Sequence, residues 1–202
     1  MNRILIVVLV GILVVSLGCK NQKSVVTKYY VLETPEDTTI IDTTSEFFID
    51  EFCEVEQVSI YPAFSSRRIA NRSHSHEITY YTSHEWAVRP SEVLTNMLVD
   101  YLNDKGVFKR VAERFWEVSP KYKIETTIYQ LEVVKEDRNL AAHLHFEFRL
   151  IDNSNKEIIA KFQADRTDLL EDKKINLFAS TISKMFYSAM NDFSTHIDKA
   201  LK

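Results

Sequence analysis

Histidines are the first residues in this chain whose types and spacing could do chemistry. His74-Ser75-His76-Glu77 and His84-Glu85 crowd one segment. His143-Leu144-His145 puts two imidazoles at alternate positions, which a strand turns to the same face. Two such imidazoles with a third ligand suit a tetrahedral zinc site. No His-Glu-x-x-His run and no cysteine pair accompanies them. The ordinary reading puts His143 and His145 on the solvated face of an amphipathic strand and His74 and His76 in a polar hairpin. A zinc-binding protein with His74, His76, His84, His143 and His145 as candidate ligands is the alternative, not the main reading.

Catalysis finds less support. A Gly-x-Ser-x-Gly nucleophile turn is absent, and Gly11, Gly18 and Gly106 are the only glycines, too few for a loop that cradles phosphate. Cys53 lies in an apolar, strand-like context that suits a buried small hydrophobe better than a reactive thiol. Asp50 and Glu51 adjoin an acidic stretch with no sign of a cleft. The residues therefore predict no enzyme and no cofactor. Net charge is −4 with no basic face evident, which argues against nucleic acid as a partner.

Aromatic and arginine side chains offer a different chemistry, that of contact. Arg67, Arg68 and Arg72 lie among small polar residues, and Tyr80, Trp86 and Arg89 follow within twenty residues. Trp, Tyr and Arg dominate the energetics of protein interfaces. The plainer role has Trp86 capping the core and Arg89 held at a helix start. Arg67, Arg68, Arg72, Tyr80, Trp86 and Arg89 form the candidate partner-binding set.

The elements that must position this set are legible. The second half of the stretch Tyr80 to Val111 reads as an amphipathic helix, with Val93, Leu94, Met97, Leu98, Tyr101 and Leu102 on one face. Pro90 fits its first turn, Ser91 is a usable cap, Glu92 suits the positive end of the dipole, and Gly106 ends it. Before it, Tyr29 to Leu32 and a segment around Val58 and Ile60 read as strands. The segment Ala63 to His76, with Arg67, Arg68 and Arg72, and a return over Glu77 to Thr82 read as a protruding basic hairpin. Beyond it, Tyr122 to Lys135 is a long strand whose apolar phase changes near Ile128 and Tyr129, which predicts a bulge. Leu140 to Ile151 alternates cleanly, Asp152 to Asn155 is a turn, and Glu157 to Asp165 returns. A last helix runs from about Lys174 to Leu201. This order predicts an α+β fold, a mostly antiparallel sheet with two main helices packed on one face.

The amino terminus carries a separate message. Arg3, the apolar run Ile4 to Val15 and the ending Ser16-Leu17-Gly18-Cys19 form a secretory signal. The Leu-Gly-Cys ending resembles the lipobox of bacterial lipoproteins, in which the cysteine is acylated and becomes the first residue. The predicted organisation is a signal peptide over 1–18, a lipidated Cys19 and tether over 19–27, and one periplasmic α+β domain over 28–202. Acylated Cys19 leaves Cys53 without a partner within the chain. Lys20, rather than the Asp that retains many lipoproteins on the inner membrane, favours the outer membrane.

Several of these stretches recur together in a known family. They are the lipobox, the Tyr29-Tyr30-Val31-Leu32 strand, Val58-Ser59-Ile60-Tyr61-Pro62-Ala63-Phe64, Arg67-Arg68-Ile69, and Trp86-Ala87-Val88-Arg89-Pro90 leading to a helix that ends in Gly106-Val107-Phe108. The chain resembles the ABC-type transport auxiliary lipoproteins, a family that includes those encoded beside MCE-domain and paraquat-inducible systems. Members usually carry an acidic residue before the proline, where this chain has Val88-Arg89. The resemblance implies a non-catalytic, membrane-anchored component of a system that moves phospholipids or other hydrophobic substrates between membranes. Its implied partner is the MCE-domain substrate-binding protein of the transporter. Direct contact with lipid and a homo-oligomer matched to a ring-shaped partner are left open by the resemblance. A lipoprotein that supports an outer-membrane barrel is the competing class.

Overall fold

The computed structural model describes residues 26–35, 48–136, 139–171 and 174–202. The predicted signal peptide, Cys19, most of the tether and most of the acidic 33–46 segment lie outside the described residues.

One strand organises everything else. β7 (Tyr122–Glu136) pairs along its whole length with β8 (Asn139–Asp152), and β8 pairs with β9 (Ile158–Leu169), all antiparallel. On its other edge β7 receives three short parallel strands in succession: β2 (Ile49–Val55), β3 (Ser59–Ile60) and β4 (Arg68–His74). The remaining strands extend these. β5 (Glu77–Trp86) forms the expected antiparallel hairpin with β4, β1 (Lys28–Tyr30) joins β5 in parallel, and β6 (Phe108–Ala112) joins β2 in parallel. The result is an open, mixed nine-stranded sheet in an α+β fold. Its long ladders are antiparallel as expected, and the N-terminal half adds parallel pairings beside them. The predicted bulge falls at Tyr129, where the β7–β8 register steps from Ile128 to Gln130. The strand therefore changes phase while keeping Ile124, Ile128, Leu131 and Val133 in the core.

Two helices, α1 (Pro90–Asp104) and α2 (Phe178–Leu201, preceded by a 3₁₀ turn at Ile175–Leu177), cover the apolar face. Phe148 of β8 stacks on Phe193 at 5.0 Å and meets Phe186 at 5.6 Å, so the alternating residues of β8 meet the stripe of α2. The helices touch where Tyr101 packs edge-on against Tyr187 at 5.2 Å. Burial pushes the Tyr101 hydroxyl up to about 12. Thr95 secures α1 to the sheet: its buried hydroxyl accepts the Val58 N–H at 2.9 Å and donates to the Ser91 carbonyl at 2.6 Å.

The ends of α1 refine the sequence reading. Pro90 is the first helical residue, so the N-cap is Arg89, which makes no side-chain cap bond, and Ser91 lies inside the helix. At the other end Gly106 has φ +61. Its N–H donates to the Asn103 carbonyl at 3.0 Å, and the Val107 N–H donates to the Leu102 carbonyl at 3.2 Å. A left-handed residue is what lets both bonds close. Asn103 then ties the helix to β6 through both Val111 backbone groups, at 2.9 and 3.0 Å.

Candidate functional site

The structure divides the six predicted contact residues into three roles. Trp86 ends β5 on the helix side, is 2% exposed, and packs its ring 5.4 Å from that of Phe178. It serves the core and offers no surface to a partner. Arg72 reaches across to β7, where its Nε donates to both oxygens of Glu132 at 2.9 and 3.0 Å and its Nη1 donates to the Ser75 carbonyl. It too is structural. Arg67, Arg68 and Arg89 are exposed.

These three gather around the corner where β5 meets α1. The Arg67 Nε donates to the Trp86 carbonyl at 2.9 Å, and the Trp86 N–H donates to the Arg67 carbonyl at 2.8 Å. The Arg67 guanidinium lies 5.5 Å from the centre of the exposed Tyr29 ring, and Arg68 lies 4.3 Å from that of Tyr80. Tyr80, half-buried, donates its hydroxyl to the Ala63 carbonyl at 3.0 Å and so acts as a fixed platform for Arg68. Guanidiniums held over aromatic rings have lost part of their rotamer freedom before any partner arrives. The same corner carries exposed Val31 and Val88, which gives it apolar area beside the charge.

The histidines do not converge. His74 forms an exposed pair with Glu77 at 3.9 Å, and His76 contacts the Ser75 hydroxyl at 2.8 Å. His84 contacts the Tyr30 hydroxyl through Nδ1 at 2.7 Å and stacks on that ring. Burial pushes its pKa down, and the Lys28 ammonium adds to the effect. His145 tilts over Tyr129 at 4.9 Å and contacts the Gln163 amide at 3.0 Å. Among the described residues no three His, Cys, Asp or Glu side chains group so as to hold a metal. The i, i+2 spacing turned His143 and His145 to one face, but each was already engaged by a different neighbour. Cys53 is fully buried, and burial pushes its thiol well above the ordinary range.

His143 belongs to a polar chain, centred on the buried Glu132, that sequence spacing did not reveal. Its Nδ1 lies 3.4 Å from Glu132 and its Nε2 lies 2.7 Å from Asp165. Arg72, Glu132, His143 and Asp165 thus link β4, β7, β8 and β9 on the helix-free face. The hydrogen bond to Glu132 raises the His143 pKa most, burial opposes it, and Asp165 raises it further. Lower on that face, Lys161 bonds Glu147, Arg149 bonds Glu147 and Glu125, and Lys123 bonds Glu125. These charges are spent on one another, so the face carries no surplus of one sign.

A second exposed feature escaped the sequence reading altogether. In the loop between β6 and β7, Trp116 is 83% exposed, with the Arg114 guanidinium 4.8 Å from its ring centre. A Phe115-Trp116 pair set between Arg114 and Glu117, with no helical or strand period around it, was the available signal.

The fold is thus an open mixed sheet with two helices on one face and an exposed, arginine-bearing corner. The family described as the ABC-type transport auxiliary lipoprotein component matches residues 30–189. The chain belongs to that family, whose members are lipoproteins serving ABC-type transport. Protein XCC0632 from Xanthomonas campestris, assigned to a family called DUF330, has a similar structure: TM-score 0.70, 18% identity, 84% of this chain and 95% of that one covered. An uncharacterized protein aligns with TM-score 0.67 and 13% identity over 85% of this chain and 99% of its own. No curated protein matches the chain.

Proposed function

We propose that the protein is a non-catalytic, lipid-anchored auxiliary component of an ABC/MCE-type system that moves phospholipids or other hydrophobic substrates between membranes. Acylation of Cys19 anchors it, Lys20 favours the outer membrane, and the domain faces the periplasm. It acts by docking the MCE-domain component through Arg67, Arg68 and Arg89. The observation that carries this reading is the exposure of those three arginines, with Arg67 and Arg68 over aromatic rings, within a chain that matches an auxiliary transport family over most of its length. Arginines at a rim act on encounter rate and respond to salt, so docking weakens as ionic strength rises.

The test is affinity purification of the full-length lipoprotein from detergent-solubilised membranes, with an Arg67→Glu/Arg89→Glu variant whose circular dichroism matches wild type. Co-purification of an MCE-domain protein that the variant loses supports both partner and surface. Retention by the variant keeps the partner and moves the surface. A barrel protein in its place, or no transport component at all, overturns the proposal.

A further inference from the structure

The loop of residues 113–121 is held at both ends and leaves its centre projecting. At its start the Phe115 N–H donates to Glu54 at 3.4 Å, and the Phe115 ring packs edge-on against Phe52 at 5.3 Å. At its finish Asn153 donates its backbone N–H to the Lys121 carbonyl at 2.8 Å and its side-chain amide to the Pro120 carbonyl at 3.0 Å. Between the clamps stand Trp116, the most exposed large apolar residue among the described residues at 83%, and Val118 at 42%. An exposed indole on an anchored loop is the side-chain type that most often dominates a protein contact, and its fixed support lowers the ordering cost of binding.

The topology says which way this loop faces. β4 runs parallel to β7, β5 antiparallel to β4, and β1 parallel to β5. The chain therefore enters β1 from the side of the β4–β5 turn. The 113–121 loop lies at the opposite end, beside the β8–β9 turn. β1 pairs with the last three residues of β5, which sets it level with the middle of β7 and roughly 25–30 Å from the loop at about 3.3 Å per residue.

The charges say what kind of surface it meets. Glu113 and Glu117 lie near Trp116 along with Arg114, and two of the neighbouring lysines are paired, Lys109 with Asp50 at 2.9 Å and Lys121 with Glu51 at 3.4 Å. A bilayer with anionic headgroups favours a run of cations around several apolar side chains. One tryptophan inside a rim of both signs suits a protein pocket instead.

We propose that this loop is a second protein-docking site, with Trp116 as the anchor that enters an apolar pocket of the MCE-domain component and Arg114 holding the indole in place. It rests on the partner assigned above and uses a surface separate from the arginine corner.

The chain has two tryptophans, and only Trp116 is open to solvent, so iodide quenches Trp116 and spares Trp86. The experiment measures iodide quenching and affinity for full-length protein with the purified MCE-domain component, and quenching with vesicles of phosphatidylethanolamine and phosphatidylglycerol. The expected result is protection and a blue shift of Trp116 with the protein, no change with vesicles, and affinity about 30-fold or more weaker in Trp116→Ala. Protection by vesicles alone overturns the proposal in favour of a membrane contact. Wild-type binding that leaves Trp116 quenchable, with Trp116→Ala binding equally well, overturns the loop and keeps the partner. Absence of wild-type binding overturns the partner assignment, and this proposal with it.

Discussion

Removing Arg72 is expected to destabilise the protein more than removing the carboxylate it holds. Glu132 has no side-chain exposure, whereas the Arg72 side chain is 21% exposed. Arg72→Ala strands a buried carboxylate with His143 as its remaining ionic neighbour, which costs about 3–5 kcal/mol. Glu132→Ala leaves a guanidinium that already reaches water and an imidazole that can release its proton, so the loss is nearer the about 1.5–3 kcal/mol of a charged hydrogen bond. Independent effects would sum to roughly 5–8 kcal/mol in the double variant. The structure instead predicts that Arg72→Ala/Glu132→Ala is more stable than Arg72→Ala alone by about 1 kcal/mol or more, because no charge is left buried without a partner. Urea denaturation of the four proteins at pH 7, with unchanged m values, gives the cycle. Additivity within about 0.5 kcal/mol would show that the two groups do not depend on each other and would refute the reasoning.

Two further expectations follow from the same structure. His143 has a folded pKa above its ordinary value of 6.5, chiefly through Glu132 and then Asp165. Its stabilising contribution is therefore fully present below that ordinary value and lost as pH rises through the raised one. His143→Gln should flatten the stability curve in that window, and an unchanged slope across it would remove His143 as the source. At Gly106 an added Cβ meets nothing within 4 Å, so Gly106→Ala should cost only the backbone penalty of about 1–2 kcal/mol. A melting curve showing a much larger loss would mean that the turn is held by packing rather than by φ.

What the sequence made legible was local. The α1 stripe, its glycine stop, the β4–β5 hairpin, the change of phase at Ile128 and Tyr129, and the alternation of β8 all depend on residues close along the chain. The parallel docking of β2, β3 and β4 on β7 was not legible, because parallel register is set by contacts tens of residues apart and leaves no turn signature. The same distance hid the polar chain. Arg72 and Glu132 are 60 positions apart, and a glutamate at an alternating position reads as solvated until the arginine that covers it is seen. Trp86 was marked for both of its roles, and burial decided for the core. Trp116 went unmarked because a tryptophan among charges has no periodicity to betray it.

The shared edge of β7 has a kinetic consequence. β2, β3 and β4 join the antiparallel β7–β8–β9 half of the sheet through residues between Tyr122 and Val134, which follow them in the chain. Until that strand has been made, the residues before it can form the β4–β5 hairpin, α1 and the β2–β6 pair but cannot be joined into one sheet. Closing such long loops makes folding slow, and it makes it late. The amino-terminal half of a chain emerging from the ribosome thus stays unassembled until its second half appears, and its short strands wait on a single later one for their place.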